Sequence, residues 1–170
     1  MQDIRSYHRP KSSASERYHP SLNEAAHDLS LMGYEERADI IEQVVAKDIE
    51  HHTGVQATVT PKRHAWDITV ALDDPEKVEV KSALLNSNDR YNFCGIKLEA
   101  FDYLFIVFVT PNGTVEKWAY AADVAEYVAD KDLRIKAGKC QLSFTIDNVP
   151  WFFYDLIYFP YGKWPNVSQR

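Results

Sequence analysis

Cysteine is nearly missing from this chain. Cys94 and Cys140 are the only two in 170 residues, too few for a disulfide framework and without a Cys-x-x-Cys or Cys/His ligand spacing. That excludes a disulfide-stapled scaffold and makes a reducing cytoplasm the expected compartment. Glycine is sparse as well: the six glycines are scattered singly, so no glycine-rich loop is available to cradle a phosphate. No apolar run approaches the length of a membrane span, and the first residues lack the apolar stretch of a signal peptide. No membrane partner is expected, and no internal repeat is visible. Positive charge is also in deficit, with 19 Lys and Arg against 25 Asp and Glu, a net charge of −6. A protein that coats nucleic acid without selectivity needs the opposite balance.

What is present suits a folded domain. Hydrophobic residues make up 45% and aromatics 13% of the chain, enough for one α/β domain with a real core. Residues 1–20 are polar, rich in Ser and His, and carry Pro10 and Pro20. They read as an irregular arm, leaving 21–170 as the domain. Local basic patches at Arg5 to Arg17, Lys62-Arg63-His64 and Arg134 to Lys139 stand out against the acidic total. Each is either a solvated face or a contact for an anionic partner.

The most informative stretch runs from Trp66 to Ser82. Two short β-branched runs, Ile68-Thr69-Val70 and Val78-Glu79-Val80, flank the acidic, proline-containing turn Asp73-Asp74-Pro75-Glu76-Lys77. This is a hairpin signature. Alternate side chains of a strand share a face, so Glu79 and Lys81 point the same way. Asp67 opens the partner strand, within reach of Glu79. Unpaired charge on a buried sheet face is expensive, and hard carboxylate oxygens beside an ammonium suit Mg²⁺, with Mn²⁺ as its substitute. A solvated, salt-bridged hairpin is the alternative from these residues alone.

Upstream, Ser21 and Glu24 make a capping box for a helix that stops near Gly33. A second helix runs from Tyr34 to about His52: Ala38, Ile41, Val45 and Ile49 recur at helical spacing, and Gly54 supplies the stop. Glu42 lies beside that apolar stripe. His51 and His52 are adjacent and therefore face different sides of the helix. Gln56 to Thr60 reads as a short strand ending at Pro61. Downstream, Asn86 to Cys94 is polar without a period and reads as a loop; its Asn86, Asn88, Arg90 and Asn92 are side chains suited to purine edges. Tyr103 to Thr110 is a near-continuous apolar run, hence a central strand buried on both faces. Pro111-Asn112-Gly113 turns the chain, and Val115 to Tyr120 returns beside it. Ala121 to Ala129 reads as a short helix and Gln141 to Ile146 as another strand. The aromatic end, Trp151 through Trp164, reads as core packing for Trp151, Phe152 and Leu156.

Asp67, followed twelve residues later by Glu79-Val80-Lys81, resembles the active-site motif of the PD-(D/E)XK nuclease superfamily. Trp66 stands where that family has a proline. The pattern Ile96-Lys97, Phe101-Asp102-Tyr103-Leu104, Asn112-Gly113 and Trp118 is similar to its small restriction endonucleases, and the resemblance spans roughly residues 36 to 125. It implies an α/β (α+β) fold, with a central mixed β-sheet of about five strands flanked by helices, restriction-endonuclease-like. It also implies a Mg²⁺-dependent endonuclease acting on double-stranded DNA, most like a homodimeric type II restriction enzyme. Asp67, Glu79, the Val80 carbonyl and Glu42 would be the metal ligands, and Lys81 would serve the attacking water. Glu42 enters because the family places a glutamate on the helix before the first strand; Glu36 is its fallback. Lys62, Arg63, Asn86, Asn88, Arg90, Asn92 and Lys97 are the candidate DNA contacts. A Holliday-junction resolvase, a repair nuclease, a nuclease toxin, and a non-catalytic binding or assembly protein are the alternatives.

Overall fold

The computed structural model describes residues 24–159. The arm of residues 1–20, the cap residue Ser21, the patch from Arg5 to Arg17 and Trp164 lie outside them. Helix α1 (Glu24–Leu31) and helix α2 (Tyr34–Thr53) come first. The α2 stripe falls where its 3.6-residue period puts it: Ile41, Val45, Ala46 and Ile49 are buried, and Gly54 closes the helix in the left-handed conformation at φ 75°. Strands β1 (Ala57–Val59), β2 (Ile68–Val70) and β3 (Glu76–Leu84) follow as three antiparallel neighbours. The hairpin and its acidic turn are therefore where the alternation predicted them.

Strands β5 (Tyr103–Thr110) and β6 (Gly113–Tyr120) complete the middle of the sheet, with β5 parallel to β3. Helix α3 (Ala121–Asp130) follows β6. The two-residue strand β8 (Tyr154–Asp155) adds the outer edge. Among the described residues the main sheet is thus mixed and six-stranded, in the order β1-β2-β3-β5-β6-β8, where about five strands were expected. The fold is mixed α+β.

One expectation fails outright. Residues Asn86 to Cys94 are not simply a loop, because β4 (Tyr91–Lys97) begins inside them and pairs with β7 (Lys139–Phe144) in a second, two-stranded sheet. Tyr91, Phe93 and Ile96 are buried, while Asn92, Cys94 and Lys97 are exposed. The alternation is broken at Gly95, where the register shifts between Phe93 and Ile96 and φ is +71°. A bulge of this kind hides a strand from pattern reading. The connection between parallel β3 and β5 is therefore made by a strand rather than a helix.

Two cores result, one on each face of the sheet. In β5, Tyr103, Phe105, Val107 and Val109 pack with Ile41, Val45 and Ile49 of α2. Leu104, Ile106 and Phe108 pack with Phe93, Leu142 and Phe144 of the β4–β7 ribbon and with Val124 and Val128 of α3. Phe152 joins that second core, and Leu156 packs on the first. Trp151 does not: it is 81% exposed. It stands on the turn after Pro150, where Phe152 and Phe153 take the inward positions. Among the described residues, no helix is long and apolar enough to cross a membrane.

Candidate active site

The site lies just ahead of β2, where the sheet opens. The Asp67 N–H donates to the Val78 carbonyl at 2.9 Å, and its own carbonyl accepts from Thr60 at 2.8 Å. Its backbone is thereby tied to strands on both sides. Ahead of Asp67 the chain is outside the sheet, and the Val80 N–H has no strand backbone to pair with on that edge. Asp67 Oδ2 takes that N–H at 2.8 Å, extending the ladder with a side chain. The N–H and C=O of one strand residue lie on the same edge, so the Val80 carbonyl points into the same gap. Trp66, at the position the family gives to proline, anchors the approach. Its Nε1 donates to Thr69 Oγ1 at 2.8 Å, and Lys77 Nζ lies 4.7 Å over the indole ring.

Glu79 follows Val78, the last β3 residue paired with β2 and the one whose carbonyl takes the Asp67 N–H. It is only 5% exposed. Lys81 Nζ stands 3.2 Å from Glu79 Oε2, on the same face, as the two-residue period requires. Burial pushes the Glu79 carboxyl up to about 7, and the Asp67 charge adds to the rise while Lys81 opposes it. Lys81 feels burial in the opposite sense, but Glu79, with smaller contributions from Tyr34 and Asp67, outweighs it and raises the ammonium above its usual range.

Glu42 arrives from the other side of the sheet. Tyr34, Ala38 and Glu42 lie four residues apart on one face of α2, and all three line a cavity of about 180 Å³ shared with Trp66, Asp67 and Lys81. Burial first and the Asp67 charge second raise the Glu42 carboxyl to about 7, with Lys62 pulling the other way. Glu36 is exposed and does not line that cavity, so of the two expected candidates Glu42 is the one brought there; Glu35 of the same helix also lines it. Lys62 stands at the rim, held by an ion pair with Asp39.

The donor set suits a hard divalent cation, and the mutual repulsion of Asp67 with Glu42 and Glu79 is what such a cation relieves. Among the described residues no group of three or more His, Cys, Asp or Glu side chains is placed to hold a metal ion. One oxygen of Glu79 is turned to Lys81 and one of Asp67 to the Val80 amide.

The candidate DNA contacts separate into two groups. Asn86, Asn88 and Asn92 line a larger groove of about 530 Å³ that adjoins the site through Lys81 and Tyr34. Arg90 is drawn to β7, where its guanidinium donates to Ser143 Oγ at 2.9 Å and to the Ser143 carbonyl at 2.8 Å. Arg63 and Lys97 are exposed and line neither cavity; Lys97 stands opposite Lys139 in the ribbon. Three residues at the site escape a reading of the sequence alone. Tyr34 lines both cavities, Arg37 lines the larger one, and the Gly95 bulge lies over Lys81, its missing Cβ 3.8 Å from Nζ. Only Tyr34 carries a signal, being two helical turns ahead of Glu42.

No protein-family model matches the chain, and no curated protein matches it.

Proposed function

We propose that this chain is a divalent-metal-dependent endodeoxyribonuclease of the PD-(D/E)XK kind, restriction-endonuclease-like in fold. One observation carries the reading: Glu42, Asp67, Glu79 and Lys81 come from one helix and two adjoining strand segments, and their charges meet at the splayed end of β2 and β3. A salt-bridged surface hairpin would leave these groups in water, whereas Glu79 is buried.

Asp67, Glu79, the Val80 carbonyl and Glu42 would hold Mg²⁺ or Mn²⁺. When bound, such a cation polarises the phosphoryl oxygens, acidifies a water and balances charge on the leaving oxygen. Lys81, kept as an ammonium by Glu79, donates hydrogen bonds to a water or to a phosphate oxygen. Release of Glu79 from this ion pair removes the main support of that charge, the condition under which Lys81 can act as a base. Within this reading, the resemblance favours a homodimeric type II restriction enzyme cutting double-stranded DNA to 5′-phosphate ends.

The test is incubation of phage and plasmid DNA with the protein in Mg²⁺, Mn²⁺, Ca²⁺ or EDTA. Discrete fragments are expected in the first two, binding with little cleavage in Ca²⁺, and silence in the chelator. A smear would move the reading to a nuclease without sequence preference. Full activity in EDTA would remove the mechanism.

A further inference from the structure

The larger groove beside Lys81 has a one-sided chemistry. Among the described residues its cations are Lys81 and Arg37, and no carboxylate lines it, although the chain carries a net charge of −6. Two of its three asparagines, Asn86 and Asn92, are also not free to act as ordinary amides. Asn86 Oδ1 accepts the backbone N–H groups of Asn88 and Arg90, each at 2.9 Å. Backbone N–H groups only donate, so the amide orientation of Asn86 is settled: the oxygen closes the turn and the Nδ2 hydrogens remain. The orientation of Asn92 follows by relay. Arg90 Nε can only donate, so Ser143 Oγ accepts from it at 2.9 Å. The serine's own hydrogen then goes to Asn92 Oδ1, 2.7 Å away. Asn92, too, has only its Nδ2 hydrogens left to offer.

At Asn86 and Asn92 this arrangement disables the usual asparagine pairing with adenine, which needs the amide oxygen for N6–H and the amide nitrogen for N7. What Asn86 and Asn92 offer matches a base edge made of acceptors alone. Guanine presents two such acceptors, O6 and N7, whereas adenine and cytosine each present an amino donor and thymine offers the O4 acceptor alone. Tyr34, 64% exposed at the junction of the two cavities, supplies an aromatic face on which a base can stack. Resting on the nuclease reading above, we infer that the groove between α2 and the β3–β4 turn is a guanine subsite, holding the nucleotide that adjoins the scissile phosphate through N–H donors of Asn86 and Asn92.

The test uses mononucleotides in EDTA, so that it does not depend on cleavage. Side-chain amide signals of Asn86 and Asn92 are followed by ¹⁵N NMR while 5′-GMP, 5′-IMP, 5′-AMP, 5′-CMP or inorganic phosphate is titrated in. GMP and IMP, which share O6 and N7, should shift both amides and bind at least about fivefold more tightly than AMP and CMP. Asn86→Asp and Asn92→Asp keep the oxygen that closes the turn or accepts from Ser143 and replace the donor with a charged oxygen, so the inorganic phosphate titration of each variant serves as the control for repulsion. Both should fold normally and lose the GMP preference. Equal shifts with all four nucleotides, shifts with phosphate alone, or amides that do not respond would each overturn the subsite. Plasmid cleavage is scored separately. GMP selectivity without cleavage would sink the nuclease reading and keep the subsite; cleavage with indifferent amides would do the reverse.

Discussion

Strands β3 and β5 lie side by side in parallel register, with Glu79 opposite Leu104 and Lys81 opposite Ile106. One is built for packing alone. All but the last residue of β5 is buried, and every residue from Tyr103 to Val109 is apolar. The other interrupts its apolar positions Val78, Val80 and Leu84 with Glu79 and Lys81. The two strands share a sheet and solve opposite problems. β5 separates two cores and is stabilised by both. β3 keeps charge in a place where burial disfavours it, and the raised carboxyl of Glu79 registers that cost. A sheet that needed only stability would have a second β5 there.

The comparison breaks most sharply at Lys81. Lys81→Ala should slow single-turnover cleavage by about two to four orders of magnitude, the range for losing a general base. Binding in Ca²⁺, read by gel shift, should stay within a few-fold of wild type. Lys81→Arg should not rescue, because a guanidinium does not deprotonate at working pH. Glu42→Ala should be the milder lesion. Equal losses of binding and cleavage in Lys81→Ala would make this side chain a phosphate clamp.

Stability should show the reverse pattern. Phe105→Ala in β5 opens a void in the α2 core and should cost about 3–5 kcal/mol in denaturant melts. Glu79→Gln in β3, measured in EDTA at about pH 8, should cost nothing or stabilise the protein, since it removes a charge the fold disfavours. A large loss in Glu79→Gln would identify the Glu79–Lys81 pair as structural.

The smallest effect is a slope. Glu42 and Glu79 are raised from 4.5 to about 7 in the folded chain, so their protonated forms favour the fold. Their contribution is fully present below the unfolded value and is lost as pH rises through about 7. In EDTA the melting temperature should therefore fall between about pH 5 and 8, with Glu79 contributing more than the half-buried Glu42. Glu79→Gln should flatten its share, and saturating Mg²⁺ should flatten the part due to Glu42 and Glu79, leaving the part due to Glu116, which burial and Asp48 raise to about 9 away from the site. An unchanged slope in Mg²⁺ would detach the carboxylates from any cation.

Much of the fold is legible in the residues themselves. The period of α2, the apolar run of β5 and the hairpin around Asp73-Asp74-Pro75 are local signals, and local signals survive folding. The two-residue period is enough to put Glu79 and Lys81 on one face with Asp67 in reach, and the resemblance is what joins them into a motif and adds Glu42. Strand β4 is not legible, because Asn92, Cys94 and Gly95 interrupt Tyr91, Phe93 and Ile96, and the bulge resets the alternation. Trp151 reads as core on composition, yet a turn sends it outward.

The sequence by itself determined which residues can carry charge chemistry and which strand faces they share, since a two-residue period follows from the backbone alone. Only the tertiary structure decided that β2 begins one residue after Asp67, so that a carboxylate must complete the ladder at Val80. It also brought Glu42 across from α2 and engaged the Asn86 and Asn92 oxygens, leaving their hydrogens for the groove. The Asn86 turn is local, but the others depend on chain geometry beyond the neighbouring residues, and a hydrogen bond to Val80 or Ser143 has no trace in the residues next to the one that makes it.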